Sequence, residues 1–310
     1  MVGRRGVRVI AAIDCGTNTI KLLVGDPSDE STVVRQSRMV RLGQGVDRTG
    51  RLAPEALERA FAAIDEYAAI IEEAGVERIR FCATSATRDS ENAAEFAEGV
   101  RQRLGVEPEV LSGEEEARLA FAGAVRFLDP APADPVLVVD IGGGSTELIV
   151  GSRASGPRSA YSMDIGSVRL HERRIENDPP TAAEIDAVVG DIDAALDACP
   201  FDPREAASMV GVAGTITTVA AGVLGLEEYD RNRIDRQRLA VADVHRTVER
   251  LVGMTVAERR ALGYVHPGRA DVIDAGALVL DRVLRRTTLD TMTVAETDIL
   301  DGIAWSLVEG

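Results

Sequence analysis

One short pattern occurs twice and constrains everything else. Residues 13–25 read Ile-Asp-Cys-Gly-Thr-Asn-Thr-Ile-Lys-Leu-Leu-Val-Gly, and residues 139–151 read Val-Asp-Ile-Gly-Gly-Gly-Ser-Thr-Glu-Leu-Ile-Val-Gly. Set without a gap, Asp14 falls on Asp140, Gly16 on Gly142, Thr19 on Ser145, Leu22 on Leu148, Val24 on Val150 and Gly25 on Gly151. Each copy is an apolar run ending in Asp, a turn of glycines and small polar residues, and a second apolar run. Short bounded apolar runs rich in Val and Ile read as buried strands. Two in-register strand–turn–strand units imply a duplicated α/β domain. Successive N–H groups in such turns form anion-binding concavities. Gly16, Thr17, Asn18 and Thr19 in one turn, and Gly142, Gly143, Gly144, Ser145 and Thr146 in the other, are therefore candidate phosphate contacts. Asp140 and Glu147 flank the second turn and Asp14 opens the first. Carboxylates beside a phosphate nest are hard oxygen ligands of the kind Mg²⁺ takes.

The rest of the chain narrows the class. A length of 310 residues accommodates about two domains. Asp129-Pro-Ala-Pro-Ala-Asp-Pro135 reads as a stiff linker. The expected domains are thus 1–128 and 129–296, with a terminal helix at about 297–310 returning to the first. No apolar run is long enough for a membrane span. The opening Met-Val-Gly-Arg-Arg-Gly runs into Asp14 with no cleavage-type site, so it does not read as a signal peptide and a cytoplasmic protein is expected. Cys15, Cys82 and Cys199 include no Cys-x-x-Cys pair, and the three histidines are dispersed, so neither zinc nor a disulfide framework is indicated. A formal charge of −16 argues against general nucleic-acid binding, which rests on neutralising phosphates. Lys21, the only lysine, follows Ile20 rather than glycine, which excludes a Walker A loop.

Further candidates follow in chain order. Pro54 opens a helix whose stripe Leu57, Phe61, Ile64, Ala68 and Ile71 reads as core. Arg88 lies just past a strand at 78–84, where binding groups collect in open α/β sheets, though a solvated loop arginine fits equally. Ser112-Gly-Glu-Glu-Glu116 opens a helix to about Phe127 with the spacing of a capping box, Ser112 with Glu115. Glu116, about 100° further round, is left to face elsewhere as a base. Gly214 and Thr215 stand at a strand–helix junction where N–H groups meet a positive helix end, or where a glycine merely permits close packing. A long amphipathic helix is expected from Gly268 to about Arg286.

Taken together, Asp14–Thr19, Thr84–Arg88, Ser112–Ala117, Asp140–Glu147, Gly211–Thr218 and Gly268–Asp271 resemble the exopolyphosphatase/guanosine-pentaphosphate phosphatase family. The resemblance covers nearly the whole chain. It implies an α/β protein of two ribonuclease-H-like domains, in the actin/hexokinase/Hsp70 superfamily, with a cleft between them. It implies Mg²⁺-dependent release of orthophosphate from inorganic polyphosphate, with Mn²⁺ as a substitute metal, or alternatively from guanosine pentaphosphate. It also implies Glu116 as catalytic base, Arg88 as phosphate ligand and a homodimer. Two departures stand out: Thr17-Asn18-Thr19 replaces the common Ser-Asn-Ser, and Leu300-Asp301-Gly302 replaces Leu-Arg-Glu-Gly. A sugar or acetate kinase and a non-catalytic nucleotide sensor on the same fold are the competing classes.

Overall fold

The computed structural model describes residues 9–27 and 31–308. It divides into two compact units, one running to Ser112 and taking up the chain again from Ile299, the other spanning Gly113–Asp298. The last two residues of the expected terminal helix lie outside the described residues.

The first unit holds a five-stranded sheet. β1 (Ile10–Cys15), β2 (Thr19–Asp26) and β3 (Ser31–Met39) form an antiparallel meander. β4 (Arg78–Ala83) and β5 (Glu109–Val110) add in parallel beside β1, giving the order β3-β2-β1-β4-β5. The helix Pro54–Glu73 begins on its proline and buries Leu57, Ala60, Ile64 and Ile71. That stripe joins the core formed by Ile13, Ile20, Leu22 and Phe81. The helix Ile299–Ser306 packs on β1 and buries Ile299, Leu300 and Ile303.

The second unit repeats the plan. β6 (Val136–Ile141), β7 (Thr146–Ser152) and β8 (Gly156–Met163) form the meander. β9 (Ser208–Val212) and β11 (Thr291–Val294) follow in parallel, and β10 (Arg238–Ala240) closes the edge antiparallel to β11. The order is β10-β11-β9-β6-β7-β8. The equivalence extends to irregularities. The β2–β3 register shifts between Val24 and Gly25, and the β7–β8 register shifts between Val150 and Gly151, the matching positions of the repeat. At Gly151 a Cβ would stand 2.4 Å from the Gly156 carbonyl oxygen, so the bulge leaves room for nothing larger than glycine.

Two expected boundaries move. The helix Gly113–Val125 falls in the second unit rather than before a break near residue 128. Its apolar face decides this: the helix packs on β7 and β8, with Phe121 against Gly151, so burial outweighs the proline-rich segment as a divider. The long helix expected from Gly268 begins at Ile273, and the residues before it form turns.

Candidate active site

In the second unit, strand register builds the site. Asp140 on β6 stands opposite Glu147 on β7, and Glu147 stands opposite Ser162 on β8. Directly opposed residues share a face of the sheet, with Cβ atoms about 5 Å apart. The three side chains therefore form one row across three strands. The Ser162 hydroxyl donates to Glu147 Oε1 at 2.8 Å. The helix Gly113–Val125 arrives over the same row, and a Cβ on Gly113 would stand 3.2 Å from Ser162 Cβ.

That helix separates its three glutamates by their angle round the axis. Glu114 is exposed, and Glu115 holds Arg118 in a two-pronged ion pair. Glu116 turns inward and is 7% exposed, against 9% for Asp140 and 2% for Glu147. Burial of Glu147, followed by the negative charges of Glu116 and Asp140, pushes its carboxyl well above the usual carboxylate range. Hydrogen bonds from Ser162 and Ser145 oppose this only in part. The charged groups that act most on Glu147 are both carboxylates. Such an arrangement is one that a cation stabilises. The donors are all hard oxygens, as Mg²⁺ requires. Among the described residues no three His, Cys, Asp or Glu side chains converge closely enough to enclose an ion. Mg²⁺ is commonly held by one or two carboxylates with water and phosphate oxygens at the other positions. Asp140 and Glu147 fit that ion.

The turn beside this row is closed by Gly142 N–H donating to the Ser145 carbonyl at 3.0 Å. Its carbonyls face the helix Ser167–Arg174: Gly142 accepts from Ser167 N–H, and Gly143 from Val168 and Arg169 N–H. Gly166 makes the approach feasible, because a Cβ there would lie 2.6 Å from the Gly143 carbonyl. Among the described residues the N–H groups of Gly143, Gly144 and Ser145 reach no protein acceptor. Thr146 is spent on structure, its hydroxyl donating to the Ile165 carbonyl at 2.8 Å.

β6 and β9 run parallel with Asp140 in register with Val212, so Gly214 and Thr215 emerge at the same sheet end as this turn. Ala213 turns the chain there at φ 68°. The Arg269 guanidinium lies on Gly214, whose added Cβ would meet it at 2.0 Å, and Nη1 donates to the Thr218 hydroxyl at 3.1 Å. Burial lowers the proton affinity of Arg269, while Tyr229 and Glu296 oppose that. A cation beside the positive end of a helix is unfavourable unless an anion joins it.

The first unit carries the other candidates. Its turn has the same closure, Gly16 N–H to the Thr19 carbonyl at 3.0 Å. The Thr17 hydroxyl shares a hydrogen bond with Ser85 at 2.9 Å. Asn18 Oδ1 is buried without a hydrogen-bond partner. Arg88 ends a short helix, Ser85–Arg88, and donates from Nη1 to the Leu111 carbonyl at 2.8 Å. Asp14, expected with the metal carboxylates, lies 3.4 Å from the Lys21 ammonium, its cross-strand neighbour. The structure thus brings Glu116, Asp140, Glu147 and the Gly142–Thr146 turn together in one unit, while Gly16–Thr19, Arg88 and Asp14 belong to the other. Sequence reasoning missed Ser162, Gly166 and Arg169, and gave Arg269 no role beyond its place in the Gly268–Asp271 motif. Ser162 is reached only through the β7–β8 register and the others only through tertiary packing.

The family model for the Ppx/GppA phosphatase family matches residues 25–309. The chain belongs to that family. It is 44% identical to Exopolyphosphatase 2 of Mycobacterium tuberculosis, an alignment covering 96% of this chain and 98% of that protein. Among solved structures it resembles an exopolyphosphatase-like protein at 44% identity and TM-score 0.93, covering 97% and 99% of the two chains. The Ppx/GppA enzyme of Aquifex aeolicus matches at 31% identity and TM-score 0.81, covering 97% and 99%. Among the described residues no helix is long and apolar enough to cross a membrane.

Proposed function

We propose that this protein is an exopolyphosphatase, hydrolysing the terminal phosphoanhydride of inorganic polyphosphate to orthophosphate. The observation that carries the reading is the buried row of Asp140 and Glu147, with Glu116 close enough to act on it, beside a turn whose N–H groups reach no protein acceptor. The named relatives agree with it. Catalysis of phosphoryl transfer is mainly positioning and charge stabilisation. In this reading Gly143, Gly144 and Ser145 donate N–H groups to phosphate oxygens. Gly214 and Thr215, at the same sheet end, supply further donors, and Gly16–Thr19 and Arg88 are candidate phosphate contacts of the first unit. Asp140 and Glu147 would hold Mg²⁺, or Mn²⁺ in its place, which when bound would supply charge neutralisation for the phosphate. Asp14, expected as a third metal carboxylate, lies in the first unit 3.4 Å from the Lys21 ammonium. Glu116 orients the attacking water and takes its proton as the new P–O bond forms and the bond to the leaving phosphate breaks.

The test is orthophosphate release from short and long polyphosphate, with and without Mg²⁺, by wild type and Glu116→Gln. Glutamine keeps the shape and removes the base, and general-base loss costs roughly 10²–10⁴-fold. Equal rates would remove Glu116 from the mechanism; absence of release from any chain length would overturn the reading. Guanosine pentaphosphate ends in the same anhydride, so assaying it alongside fixes the preferred substrate.

A further inference from the structure

We infer that Arg169 is the positioning residue of the phosphate-binding turn: it fixes the peptide between Gly144 and Ser145 without touching substrate. The inference rests on the functional reading above. In a trans peptide the C=O and the following N–H point to opposite sides. Among the described residues the only cis peptides precede prolines elsewhere, so the turn peptides are trans. Anchoring a carbonyl on one side therefore aims the next N–H to the other.

The helix Ser167–Arg174 does this three times in succession. Ser167 N–H holds the Gly142 carbonyl at 3.0 Å, aiming Gly143 N–H away from the helix. Val168 and Arg169 N–H hold the Gly143 carbonyl at 2.9 and 3.0 Å, aiming Gly144 N–H the same way. The third anchor differs in kind: the Gly144 carbonyl accepts from Arg169 Nε at 2.7 Å, and this aims Ser145 N–H. The first two anchors are main chain, which any residue supplies. The third depends on one side chain. The first unit shows the alternative. There the carbonyl of Asn18, the counterpart of Gly144, is held by Val40 and Arg41 N–H at 3.0 and 2.9 Å. Only the second turn hangs on a guanidinium, and it hangs there beside the carboxylates. A charge-assisted donor is roughly twice as strong as a neutral one, which suits a peptide flanked by a run of glycines.

Arg169→Met keeps most of the apolar stem and removes the donor; Arg169→Lys restores a cationic donor. With tripolyphosphate and Mg²⁺, Arg169→Met is expected to raise KM and lower kcat/KM by about 10–10²-fold, the scale of an ångström-level misplacement. Arg169→Lys recovers a large part of that loss. Melting midpoints of the two variants stay close together, which a merely structural role does not predict alongside a split in KM. A second readout needs no turnover. In ¹⁵N-labelled full-length wild type, tripolyphosphate without metal shifts the amide resonances of Gly143, Gly144 and Ser145, and in Arg169→Met the Ser145 shift is lost. Wild-type KM and an intact Ser145 shift in Arg169→Met would overturn the inference while leaving the phosphatase reading standing. No phosphate release by wild type would overturn the phosphatase reading, and the amide shifts alone would then decide Arg169. No shift of these amides in wild type would overturn the inference outright.

Discussion

The two hairpins share a turn, a register and a bulge, and differ in one cross-strand charge. Asp14 faces Lys21; Asp140, at the same position of the repeat, faces Glu147. The first pair is an ion pair at 3.4 Å. The second sets two carboxylates opposite each other, with the charge of Glu116 added. Like charges directly opposed destabilise a ladder. A duplicated domain has thus kept one hairpin self-neutralising and turned the other into a site that asks for a cation. The fold tolerates this in part because Ser145 and Ser162 donate to Glu147.

The most drastic way to break the comparison is to give the second hairpin the charge of the first. Glu147→Lys places an ammonium opposite Asp140 and competes with the metal. Stabilisation by a catalytic metal is worth several kcal/mol, and 1.36 kcal/mol is tenfold in rate, so orthophosphate release from polyphosphate should fall by about 10²–10³-fold. A variant that keeps wild-type turnover would show that the like-charged pair is not the metal site.

The converse change sharpens the comparison and is smaller. Lys21→Met leaves the buried Asp14 without its ammonium. Lys21 is partly open to water, so the expected cost is about 1–2 kcal/mol, within the range for hydrogen bonds to charged groups. Urea denaturation reads it directly, and an unchanged midpoint would show that the pair contributes nothing.

Sequence carried the duplication because strand alternation is local: a gapless alignment of thirteen residues already places Gly25 on Gly151, where both ladders slip. The inward turn of Glu116 was legible for the same reason, since angle round a helix follows from residue spacing alone. The unit boundary was misplaced because three prolines are conspicuous, whereas what decides is whether the apolar face of Gly113–Val125 lies on β7 and β8. Gly166 left no trace either: its φ of −161° suits any residue, and only the Gly143 carbonyl at 2.6 Å from its absent Cβ demands glycine. Arg169 looked like any surface arginine, because its partner is a backbone carbonyl twenty-five residues earlier.

The central claim is that Glu147 is buried among like charges, and stability against pH tests it without any assumption about substrate. Folding raises the Glu147 pKa, so the folded protein holds its proton where the unfolded chain has lost it. Stability from this group is full below the unfolded value, near pH 4.5, and declines as pH rises toward the folded value. In EDTA the melting midpoint of wild type should therefore fall relative to Glu147→Gln as pH rises above about 4.5. Mg²⁺ should restore wild type and leave the variant nearly unmoved. Parallel pH profiles in EDTA, or equal Mg²⁺ stabilisation of both proteins, would contradict the account.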